Sequence, residues 1–102
     1  MAAGQIRGGR ANRVDGNQKE IIDGLRSCGI ATCSLSPMGG GIPDLIAAWR
    51  GLNVLLEVKR PGEKLTVAET AWHAAWPGQV AIVHSFQEAY DAVVSGRPCK
   101  GE

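Results

Sequence analysis

The sequence predicts one α/β domain, a mixed sheet flanked by helices, with elements in the order α-β-β-β-α-β-α. Three observations carry this. The 102 residues amount to one folding unit. Hydrophobic residues at 44% and charged residues at 21% are globular proportions, and fit neither a disordered, a collagen-like nor a coiled-coil chain. Segments of helical spacing alternate with short apolar runs bounded by glycine and proline.

Residues 1–14 read as a flexible basic arm, with six small residues, Arg7, Arg10 and Arg13, and no acid. The domain spans 15–95, and 96–102 is a C-terminal tail. Asn17, three residues before Glu20, makes a cap for the first helix, on which Ile21, Leu25 and Cys28 share a face before Gly29 stops it. Ile30 to Leu35 mixes β-branched and small residues and predicts a strand, ended by Pro37 and the Gly39-Gly40-Gly41 run. Pro43 to Trp49 and Val54 to Lys59 form a hairpin through Arg50-Gly51-Leu52-Asn53, with Trp49 at its tip, and Pro61-Gly62 stops the second strand. Thr66-Val67-Ala68-Glu69 is a capping box for a helix to Ala75. There Ala68, Trp72, Ala75 and Trp76 share one face, and Glu69, Thr70 and His73 another. Val80 to Val83 is a buried strand, and Ser85 with Glu88 caps a last helix through Val94.

Composition narrows the function. Cys28, Cys33 and Cys99 have neither the number of a disulfide framework nor the CxxC spacing of a thiolate zinc site, and point to a reduced, cytoplasmic setting. No apolar run reaches the roughly 18 residues of a membrane span, so no membrane partner is expected. A formal net charge of +1 argues against binding nucleic acid by bulk electrostatics alone.

Chemistry concentrates on the hairpin. Strand alternation points Leu55, Glu57 and Lys59 to one side, and a carboxylate and a lysine on an apolar strand are costly unless paired, hydrated or bound to metal. Asp44 opens the partner strand, so pairing brings it opposite the Glu57–Lys59 region. Two carboxylates and an ammonium then converge at one end of a sheet, where Gly40 and Gly41 leave room for a substrate backbone. The set suits Mg²⁺, which takes one or two carboxylates plus water and phosphate oxygens, with the Val58 carbonyl as a further donor. Lys59 would orient or deprotonate the attacking water, or neutralise charge on the phosphate. The plainer alternative is a structural salt-bridge cluster.

Pro43-Asp44 followed by Glu57-Val58-Lys59 resembles the PD-(D/E)xK nuclease signature. More narrowly, Gly40 to Leu45, Leu56 to Pro61, Lys64-Leu65-Thr66 and Ala71-Trp72-His73 resemble the virus-type replication-repair nuclease (VRR-NUC) domain, over Asn17 through Ala92. The resemblance implies a restriction-endonuclease-like core and a phage-like, Mg²⁺- or Mn²⁺-dependent DNA endonuclease. It implies that Asp44, Glu57 and the Val58 carbonyl hold the metal, that Lys59 is the catalytic lysine, and that an acid on the first helix, Glu20, joins them. It further implies a homodimer acting on branched DNA such as four-way junctions. The family often carries glutamine where this chain has Glu69, a candidate substrate-binding residue; the shape is kept and a negative charge is added, which bears on metal stoichiometry and the hold on the phosphate.

Other residues have competing uses. Glu20 also suits the capping box on Asn17. His73 is expected to be solvated and outside the site. Trp72 and Trp76 are expected in the core or a dimer interface. Arg60 and Lys64, directly after the motif, are candidate phosphate contacts, as are Arg7, Arg10 and Arg13. If Glu20, Asp44 and Glu57 face cations, 11 bases against the remaining 7 acids leave +4, so the near-neutral total conceals a charge separation favourable to DNA. The rival functions are an inactive DNA-binding module and a viral structural or assembly protein.

Overall fold

The structure, a computed structural model, describes residues 16–96. The arm residues Arg7, Arg10 and Arg13 and residues 97–102 of the tail lie outside them. The chain forms α1 (Gly16–Ser27), β1 (Ala31–Ser34), a 3-10 turn (Ser36–Met38), β2 (Leu45–Trp49), β3 (Leu52–Val58), α2 (Val67–Ala75), β4 (Val80–Val83) and α3 (Phe86–Ser95). The fold is mixed α/β. The sheet runs β1-β2-β3-β4, antiparallel across the first two pairs and parallel between β3 and β4. That parallel pair needs a crossover, and α2 provides it.

The hairpin is tighter than its sequence implies. Leu52 and Asn53 join β3 opposite Trp49 and Ala48, leaving Arg50-Gly51 as a two-residue turn. Both turn residues have positive φ, 52° and 84°, as a type I′ hairpin turn requires. Trp49 is half-buried against the core, and the Arg50 guanidinium lies 5.2 Å from its ring centroid.

One sheet face carries the core. Leu45 and Ala47 of β2, Val54 and Leu56 of β3, and Ala81 and Val83 of β4 pack with Ile21 and Leu25 of α1 and with Ala89, Ala92 and Val93 of α3. Burying each larger side chain contributes roughly 1.5–3 kcal/mol. With both helices on this side, the opposite face is left to α2 and can hold polar groups.

Three local expectations change. Asn17 lies inside α1, and its side-chain amide donates to the His84 carbonyl, so it does not form a cap with Glu20. Cys28 lies beyond the helix end and is exposed, while Gln18 completes the buried stripe with Ile21 and Leu25. The Trp72–Trp76 face of α2 lies outside the core, and the buried residue of that helix is His73. The α2 capping box forms as expected, with Thr66 Oγ1 accepting from the Glu69 N–H and Glu69 accepting from the Thr66 N–H. On α3, Ser85 caps the Glu88 N–H, but the Glu88 carboxylate turns to His84.

Candidate active site

Residues of the second face meet where β3 ends. Leu45 pairs with Leu56, so Asp44 falls beside Glu57 one position outside the ladder. Asp44 Oδ2 accepts from the Val58 N–H at 2.8 Å, which ties the loop before β2 to the end of β3. The Asp44 and Glu57 carboxyl groups are close enough to share a hydrogen bond. Glu57 is 1% exposed and Lys59 6%. The sequence-predicted trio of Asp44, Glu57 and Lys59 is therefore assembled.

The helix after the motif closes over it. Lys59 Nζ lies 2.7 Å from Glu69 Oε1 and 3.7 Å from Glu63 Oε2. The same Glu69 oxygen accepts the Thr66 amide, so one carboxylate both caps α2 and holds the lysine. One turn later, His73 Nε2 lies 3.1 Å from Glu57 Oε1. His73 is 7% exposed, contrary to the solvated position expected. The sequence did carry a signal for it: the i,i+4 spacing from Glu69 puts both residues on one helical face.

The electrostatics are those of crowded acids. Burial, Asp44 and then Glu69 push the Glu57 carboxyl up to about 9, against the pull of Lys59. Burial works against the charge on Lys59, but Glu69, Glu57 and Glu63 outweigh it and raise its pKa. Burial likewise opposes the charge on Glu69, and Lys59 with the Thr66 amide outweighs that to hold it below the usual carboxylate range.

Glu20 does not join this cluster. It is exposed, on the side of α1 away from the Gln18–Ile21–Leu25 stripe, and the acids that act on Glu57 are Asp44 and Glu69. Gly40 is open, with no atom within 4 Å of an added Cβ. Gly41 serves differently from expectation: a Cβ there would come within 2.5 Å of the Ala68 carbonyl oxygen, so its missing side chain admits the α2 backbone. Arg60 and Lys64 are exposed beyond β3. On the same sheet face a groove of about 520 Å³ is lined by Ile46, Leu55, Met38, Trp72 and Trp76 among others. The two tryptophan rings stack at 4.6 Å, and Trp76 is 43% exposed.

The donor set fits a hard cation of modest demands. Among the described residues no group of three or more His, Cys, Asp or Glu side chains could hold a metal ion. Two adjacent carboxylates are what Mg²⁺ commonly takes from a protein, with water and phosphate oxygens completing the shell. Burial first, and then the neighbouring Asp44, disfavour a bare negative charge on Glu57, a cost that either a proton or a cation would offset. Among the described residues no helix is long and apolar enough to cross a membrane. No protein-family model, curated protein or solved structure matches this chain.

Proposed function

We propose that this protein is a metal-dependent DNA endonuclease of the VRR-NUC type, with a restriction-endonuclease-like core. It hydrolyses phosphodiester bonds in branched DNA such as four-way junctions, as a phage-like, cytoplasmic homodimer. The observation that carries this reading is the convergence of Asp44, Glu57 and Lys59 on one face at the end of β3.

Asp44, Glu57 and the Val58 carbonyl would hold Mg²⁺ or Mn²⁺. Such an ion, when bound, polarises the phosphate and offsets charge on the leaving oxygen. Lys59 does the rest of the electrostatic work. With Glu69 raising its pKa, its ammonium keeps its proton, so it orients the attacking water and neutralises the phosphate, and does not act as a base. Arg60, Lys64 and the open backbone at Gly40 take the flanking phosphates. The Trp72–Trp76 stack and the exposed Met38 supply an apolar surface for the second subunit.

The Lys59–Glu69 ion pair favours a second reading, a structural salt-bridge cluster in an inactive module. Cleavage separates the two. Duplex, flap, splayed-arm and four-way-junction DNA are incubated with Mg²⁺ or Mn²⁺ beside a sizing measurement. The nuclease reading expects junction cutting by a dimer and a loss of about 10²–10³-fold in Lys59→Ala. Equal inertness of wild type and Lys59→Ala on every substrate would sink it.

A further inference from the structure

Two residues one turn apart on α2 engage two alternate residues of the strand end: Glu69 meets Lys59, and His73 meets Glu57. The first contact is an ion pair at a partly exposed rim, where Glu69 keeps 19% of its side chain in solvent. The second is deeper. His73 and Glu57 keep 6% and 1% of their side-chain surface. Burying an imidazole against a carboxyl group costs desolvation on both sides, and an apolar side chain at position 73 would fill the space without that cost.

We propose that His73 is a positioning residue for the divalent-cation site, its Nε2–H donating to Glu57 Oε1 so that the carboxylate's rotation is fixed and Oε2 is left for the cation. The inference rests on the nuclease reading and deepens it. A carboxylate on a strand turns about its last torsion over a broad range unless something holds it. A two-carboxylate site tolerates little of that freedom, because one of its two acidic ligands would be misaligned. The donor comes from α2, so formation of the ligand geometry depends on α2 being docked on the sheet. Glu57 thereby differs from Asp44, whose carboxylate is oriented from within the sheet by the Val58 amide.

The test measures Mn²⁺ binding to the full chain by calorimetry, without DNA, for wild type, Asp44→Asn, Glu57→Gln and three variants at position 73. Far-UV circular dichroism and thermal unfolding check each fold. His73→Leu fills the space without a donor, His73→Asn is polar but too short to reach Oε1, and His73→Gln offers an amide N–H at similar reach. The expected result is a loss of about 10- to 100-fold in Mn²⁺ affinity for Leu and Asn, with most of the affinity retained by Gln. Cleavage by the Asn variant should recover as Mn²⁺ is raised, as a ligand-orientation defect requires.

Wild-type affinity in a folded Leu or Asn variant overturns the proposal, as does a Gln variant that is folded yet as impaired as Leu. Wild-type protein that binds no Mn²⁺, or binds it independently of Asp44 and Glu57, overturns the nuclease reading and this inference together. Binding that needs Asp44 and Glu57 but ignores position 73 overturns the inference alone.

Discussion

Glu57 imposes a pH dependence on the metal-free fold. Its carboxyl is pushed from an ordinary 4.5 up to about 9 by burial, Asp44 and Glu69. Between those values the folded state holds a proton that the unfolded chain has released, so raising the pH favours unfolding. Metal-free wild type should therefore lose stability progressively from about pH 5 to about pH 9. Glu57→Gln, with no proton to hold, should lose less over the same window. Thermal unfolding at stepped pH checks this, and parallel curves for the two proteins would mean that Glu57 ionises as an ordinary carboxylate. Glu69 acts on the other limb: held below its usual value, it stabilises above that value and loses its contribution as the pH falls. The three residues at the centre were legible in the sequence because strand alternation and hairpin pairing are local rules. Once β2 and β3 pair, Asp44, Glu57 and Lys59 have no other side of the sheet to take.

Helix rotation is not fixed by such rules, and there the sequence misled. On α1 the pair Ile21 and Leu25 is compatible with either Cys28 or Gln18 as the third buried residue. Docking on β1 and α3 selected Gln18 and left Glu20 in solvent. On α2 the stripe through Trp72 and Trp76 has the spacing of a core face, yet the core is already filled by α1 and α3 from the other side of the sheet. The tryptophans line the groove instead, and the polar face of α2 turns to the acids. The placement of α2 depends on Gly41, whose φ of 84° and approach to the Ala68 carbonyl exclude a side chain. Gly41→Ala should destabilise the protein by about 2 kcal/mol or more, combining a left-handed conformation with a backbone clash. Gly40→Ala, at φ 69° with open space around it, should cost about 1 kcal/mol. Denaturant midpoints compare them, and equal losses would show that α2 does not lean on this loop. On the nuclease reading, Gly41→Ala should also slow cleavage, because His73 and Glu69 ride on the displaced helix.

For the whole molecule the question is where a nearly neutral chain finds attraction for DNA. With Glu20 outside the cluster, the charge separation expected from the sequence shrinks, and its location changes. Residues 16–96 hold six Lys and Arg against eight Asp and Glu, a net −2. The 21 residues outside them hold five bases and two acids, a net +3. An acidic domain repels a polyanion, so the favourable electrostatics of the proposed complex must come from the cation at Asp44 and Glu57, from Arg60 and Lys64 beside them, and from the arm. If Arg7, Arg10 and Arg13 each neutralise a phosphate, replacing all three by alanine should reduce the slope of log affinity against log salt by about 3. The loss should be similar for duplex and branched DNA, because phosphate contacts carry no shape information of their own. The rate at saturating DNA should be preserved, since the substitutions leave Asp44, Glu57 and Lys59 in place. Binding titrations from low to high salt, in Ca²⁺ to suppress turnover, measure the slope. A slope unchanged by the triple substitution would assign binding to Arg60, Lys64 and the cation alone, and would predict the larger loss for Arg60→Ala.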